Sequence, residues 1–192
     1  MPRRKLTILQ ELRAAIDKAN AEGKDVLAAE LSQIRHAVRG KTSPLALVPL
    51  LDTATSQITK SFVSIVLGAA KDVRVLKPLM RAAVNPANTN YAAWYLWACA
   101  RYDCSAYLSF FVRFLLTCPE ANEAMLSASE VIKAMKGPFA PAAVKGAIAR
   151  LLRPKLRLEE LESQAEFFRV QAAYALLDTY YDQVDHEWKN EP

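Results

Sequence analysis

No stretch of this chain alternates apolar and polar residues over the length of a strand, whereas apolar residues recur at helical spacing along most of it. Only 5 glycines occur, while Ala, Leu, Glu, Lys and Arg are abundant, so good helix formers dominate. These features predict an all-α protein of about 9–10 helices. The first is expected over Leu6–Asn20, broken by Glu22-Gly23, and the second from near Lys24 to a stop at Gly40, the two forming an antiparallel hairpin. After Lys41-Thr42-Ser43-Pro44, shorter and more apolar helices are expected over Pro44–Ala54, Ser56–Ala70, Val73–Val84, Asn88–Tyr102, Ala106–Cys118 and Glu120–Met135. Start signals are Ser43 before Pro44, Asp72 before Val73, Asn88, and Cys118-Pro119-Glu120. Gly137-Pro138 closes that series, Phe139–Arg153 comes next, and Pro154 precedes a long last helix from Leu158 to about Trp188. The expected organisation is one compact domain in three parts: a hairpin over 1–43, a body over 44–157 and an acidic helix over 158–192.

At 192 residues the chain can bury about 70% of the surface its unfolded form exposes, so no metal or disulfide staple is required. Its longest apolar runs, such as Ile65–Ala70 and Ala92–Ala100, fall short of the roughly 18 residues of a membrane span. The basic start, Met1-Pro2-Arg3-Arg4-Lys5, lacks an apolar core behind it, so no secretory signal is expected. Cys99, Cys104 and Cys118 are an odd set in apolar segments, the usual setting of reduced thiols. A cytoplasmic protein without membrane association is expected.

Self-comparison finds a degenerate repeat. Pro49-Leu50-Leu51 aligns with Pro78-Leu79-Met80, and Leu67-Gly68-Ala69-Ala70-Lys71-Asp72 aligns with Ala98-Cys99-Ala100-Arg101-Tyr102-Asp103 at an offset of 31. Small residues let helices approach closely, and the closing aspartate can cap the next helix. A third unit, Tyr107–Met135, repeats the two-helix plan, with Cys118-Pro119 where Asn85-Pro86 falls in the second. Through Leu76-Lys77-Pro78-Leu79-Met80, the Asn85-Pro86 turn, Ala92-Ala93, and Asp72 and Asp103, the segment Pro44–Met135 resembles the short HEAT-like repeats of bacterial proteins, the variety first associated with bilin lyases. Asn90-Tyr91 stands where those repeats usually carry Val-Arg, so a bilin-lyase activity is not carried over. The resemblance implies a right-handed α-solenoid of antiparallel helix pairs that binds another macromolecule. Small stand-alone proteins of this type look like adaptors, or like immunity proteins that cap a cognate toxin.

The segment Asn88–Tyr102 is the most unusual. Ala93, Leu96, Trp97 and Ala100 follow the i, i+3, i+4, i+7 pattern and are expected to face the core. That leaves Tyr91, Tyr95 and Tyr102 on a second face, with Trp94 and Arg101 at its margin, a composition favoured where proteins meet. These five are the expected partner-binding residues; the alternative is that neighbouring helices cover the face. Phe110, Phe111, Phe114, Leu115 and Leu116 read as core, with Arg113 reaching the surface.

A cationic groove is the second functional reading. Lys133, Lys136, Lys145, Arg150 and Arg153 concentrate in a short stretch and suit phosphate backbones; the competing reading is a solvated basic surface. Asp178, Asp182, Asp185 and His186 lie at helical spacing, yet a solvated acidic face explains them without a metal. His36 has no catalytic partner nearby in sequence. There is no phosphate-binding Gly-rich loop, Gly-x-Ser-x-Gly elbow or His-Glu-x-x-His motif, so a non-catalytic protein without cofactor or metal is expected. Residues 1–157 carry 23 basic and 11 acidic side chains, a net +12, and residues 158–192 carry 2 and 9, a net −7.

Overall fold

Four of the predicted helical segments start with a tight 3₁₀ turn, and in each case one side chain accounts for it. The oxygens of Ser43, Asp72, Asn85 and Asp103 accept hydrogen bonds from the backbone N–H two residues on, at 3.3, 3.0, 3.0 and 3.0 Å. Such local bonds satisfy donors that a helix start leaves unpaired. The turns so capped are Pro44–Leu47, Val73–Val75, Pro86–Tyr91 and Ser105–Tyr107.

These assignments come from a computed structural model that describes residues 14, 16, 18, 21–22, 28–118, 120–152 and 164–189. Among them the chain is all-helical, with nine α-helices and no strand. We number the helices α1 Ala28–Val38, α2 Leu50–Thr53, α3 Gln57–Ala69, α4 Leu76–Val84, α5 Ala92–Cys99, α6 Leu108–Thr117, α7 Glu123–Lys133, α8 Pro141–Leu151 and α9 Gln164–Lys189. Of the first predicted helix, residues 14, 16 and 18 are described and helical, and Ile16 is buried; the rest of Leu6–Asn20 and Arg153–Ser163 lie outside the described residues. No described helix is long and apolar enough to cross a membrane.

Two start signals differ from expectation. Asn85, not Asn88, caps the turn before α5, because proline at 86 suits the first position of a helical turn. Asn122, not the Cys118-Pro119-Glu120 segment, caps α7 by accepting from Met125 N at 3.0 Å. Gly40 ends α1 in the left-handed conformation, φ +69°, as its sequence position predicted.

The chain divides into two compact units, Met1–Tyr102 and Asp103–Pro192, and the boundary falls inside the segment 44–157. In the first unit α5 packs on both α3 and α4, α2 packs on α3 and α4, and α1 packs on α3. Gly68 of α3 lies close against α5: a Cβ there would sit 3.2 Å from Ala98 Cα. The core holds Leu51, Val63, Leu67, Leu76, Leu79 and Leu96. Burying such a side chain contributes about 1.5–3 kcal/mol. It also contains a polar node, in which buried Lys60 donates to Asn88 Oδ1 at 2.7 Å and lies 4.4 Å over the Tyr91 ring. Asn88 in turn donates to the carbonyls of Leu51 and Ala82 at 3.2 and 3.3 Å, so the buried amide is fully used.

In the second unit α6 packs on α7 and α8, and α9 lies along α7 and α8. Phe111, Leu115, Met125, Ile132, Leu151 and Leu176 fill its core. Phe110, Phe114 and Leu116 are only half-buried, while Arg113 is exposed as expected. Side chains pin the link between α7 and α8. Ser105 Oγ accepts from Lys136 N at 3.2 Å and Gly137 N at 2.9 Å. Gln183 of α9 accepts from Phe139 N at 2.7 Å and donates to Phe139 O at 3.1 Å.

Candidate functional site: an indole-lined groove beside α5

Helix α5 reads Ala-Ala-Trp-Tyr-Leu-Trp-Ala-Cys, apolar at almost every position. With α3 on one side and α4 on another, its buried arc is wide and takes in Ala92, Ala93, Tyr95, Leu96, Ala98 and Cys99. This corrects two expectations. Tyr95 is fully buried and does not belong to a partner-binding face. Trp97, expected in the core, is 46% exposed. The physical reason is degeneracy: on an apolar helix with two neighbours, spacing alone does not select which stripe stays bare. The Tyr95 hydroxyl has no hydrogen-bond partner among the described residues, and burial, with smaller contributions from Asp52 and Tyr91, pushes that phenol far above its ordinary range.

The remaining predicted partner residues have distinct environments. Tyr91 is half-buried, its ring beneath Lys60 and 5.3 Å from the Trp94 ring. The Tyr102 hydroxyl donates to the Leu67 carbonyl, tying the chain after α5 to the end of α3; burial pushes this phenol up. Trp94 and Arg101 do reach an open site.

That site is a groove of about 560 Å³ between α3 and α5. Its floor is the Gly68–Ala98 contact, where the absent side chain lets the helices touch. Trp94 and Trp97 line one wall, Ser61, Ser64 and Ile65 the other, and Lys71 and Arg101 supply cations beyond the helix ends. Among the described residues no carboxylate lines it. Lys71 stands at φ +54°, a left-handed conformation that favours glycine after a helix. Indole faces offer a large apolar area with a polar edge, and the two cations attract anions. Trp97 and Lys71 were not identified from sequence; the readable signal was Gly68 aligning with the small residues near Ala98.

The four described residues of the proposed basic groove have distinct environments. Lys133 Nζ donates to Glu130 at 2.7 Å and to Gln171 of α9 at 3.0 Å. Lys136 and Lys145 are exposed, and Arg150 alone of the set lines a recess of about 290 Å³ beside α6 and α8. Arg153 lies outside the described residues. Cys99 and Cys104 are buried and Cys118 is half-buried, and none of the three is in a disulfide; burial, with Asp103 adding, pushes Cys104 up to about 12, which keeps it protonated and unreactive. His36, Asp178, Asp182, Asp185 and His186 are exposed, and no group of three potential metal ligands occurs among the described residues.

Compared with known protein families, curated proteins and solved structures, the chain matches none.

Proposed function

We propose that this chain is a non-catalytic protein-binding module built as a HEAT-like α-solenoid, a cytoplasmic bacterial adaptor or immunity protein that binds and blocks a partner such as a cognate toxin. Packing within each unit supports the repeat reading. In the first, α3 stacks on α5 and α2 on α4; in the second, α7 stacks on α9 and α6 on α8, so like-placed helices meet as in stacked repeats. Asp72 and Asp103, 31 positions apart, close the same two-residue hydrogen-bonded turn.

The observation that carries the binding role is the groove beside α5, with half-exposed Trp97 next to Trp94 and two cations at its end. Indoles and arginines dominate the binding energy of protein interfaces, and a contiguous exposed apolar surface marks an interaction site. The experiment is affinity capture from the native host with the wild-type chain and with Trp94→Ala/Trp97→Ala as baits. The expected result is a protein retained by the first and lost from the second while duplex DNA is retained by neither. Equal retention by both baits, or salt-sensitive DNA binding alone, overturns the proposal.

A further inference from the structure

Helix α9 has two apolar faces, and the larger side chains are on the one that faces solvent. Toward α7 and α8 it buries Ala165, Ala172, Ala173 and Leu176. Outward it presents Phe167, Tyr174 and Tyr181, which are 50%, 60% and 66% exposed. The three are spaced by seven residues, and Val170, Leu177 and Val184 lie three positions after each. That is the a and d pattern of a helix seam that needs a partner helix. Leu177 is 36% exposed and the two valines are half-buried. A helix anchored by alanines, with its aromatics in solvent, has its large apolar area available for another molecule.

Charge selects the occupant. Asp178, Asp182 and Asp185 run along one margin of the seam at spacings of four and three, and no Lys or Arg occurs between Arg169 and Lys189. A second copy of α9 fits poorly. Antiparallel pairing brings the aspartates of the two copies together, and parallel pairing sets Asp178 and Asp185 against Ala173 and Tyr180 without any ion pair. A helix with apolar a and d residues and Lys or Arg beside them pairs its cations with the acidic margin and places its stems over the Tyr174 and Tyr181 rings.

We propose that the outward face of α9 is a docking strip for a basic amphipathic helix of a partner protein. It is independent of the groove beside α5, resting on different residues.

The test uses the full chain and two labelled heptad peptides with leucine at a and d, one with lysine and one with glutamate at e and g, read by fluorescence anisotropy. The lysine peptide is expected to bind about tenfold or more tightly than the glutamate peptide. Asp178→Lys/Asp182→Lys should reverse that order, and Tyr174→Ala/Tyr181→Ala should lose the lysine peptide while keeping its helical circular dichroism. The proposal is overturned if both peptides bind alike, if neither binds, or if Tyr174→Ala/Tyr181→Ala binds like the wild type, which reduces the effect to unspecific charge. It is also overturned if the wild-type chain sediments as a dimer that the tyrosine variant converts to monomer, since a second copy then occupies the strip.

Discussion

Helices α5 and α9 both carry apolar side chains on more than one face, but α5 is covered by α3 and α4 while the α9 face that carries Phe167, Tyr174 and Tyr181 leaves those rings half or more exposed. Tyr95 in α5 is fully buried and Tyr181 in α9 is 66% exposed. The difference lies in the number of neighbours, because each apolar face needs its own packing element to become core. Where none is present among the described residues, the face stays exposed and is suited to an interaction surface.

The largest effect that tests this contrast is the loss of the buried ring. Tyr95→Ala should cost about 3–5 kcal/mol in urea unfolding, whereas Tyr181→Ala should stay within about 0.5 kcal/mol. Equal costs would break the comparison.

Next comes the helix approach that shapes the groove. Gly68→Val places branched carbon where Ala98 Cα is already 3.2 Å from an added Cβ, so it should cost about 1–3 kcal/mol and weaken partner capture.

A smaller effect is expected at Asp103, whose carboxylate accepts from Ser105 and Lys136 N–H groups. Partial burial raises its pKa, but the hydrogen bond from the Ser105 hydroxyl, these N–H bonds and the Lys136 charge outweigh that and hold the carboxyl below its ordinary range. The folded value therefore lies under the unfolded value of about 3.9. Its stabilisation is present in full above the unfolded value and is lost as pH falls through the folded one. Asp103→Ala should cost about 1 kcal/mol at neutral pH, and the gap to wild type should close in unfolding curves measured below about pH 4.

The smallest effect has the opposite sign. Lys71→Gly relieves a left-handed conformation and, after the entropy cost of a glycine, should stabilise the chain by about 0.5 kcal/mol, read as a raised urea midpoint. It also removes a groove cation, so partner retention should fall as stability rises.

The helices themselves were legible from sequence because their punctuation is local. Ser43, Asp72 and Gly40 each act within two or three residues of their own position. The acidic last helix was legible by charge, but its Phe167, Tyr174 and Tyr181 seam was hidden among acidic and core-facing residues of similar spacing. Within the candidate site, Trp94 and Arg101 were identified, while Tyr95 and Trp97 exchanged places. Their positions depend on α3 and α4 flanking α5 together, a tertiary fact that no periodicity encodes. Lys71 was beyond reach for a related reason: nothing in a lysine announces a left-handed backbone.

The most direct measurement on the central claim, that the bare indole face beside α5 meets a partner protein, is photo-crosslinking in the native host. A benzophenone amino acid would replace Trp97 or, as a control, the exposed Lys77 of α4. The account predicts a discrete protein adduct from position 97 that is lost when Arg101→Glu is added, and none from position 77. No adduct at 97, or the same adducts at both positions, would contradict it.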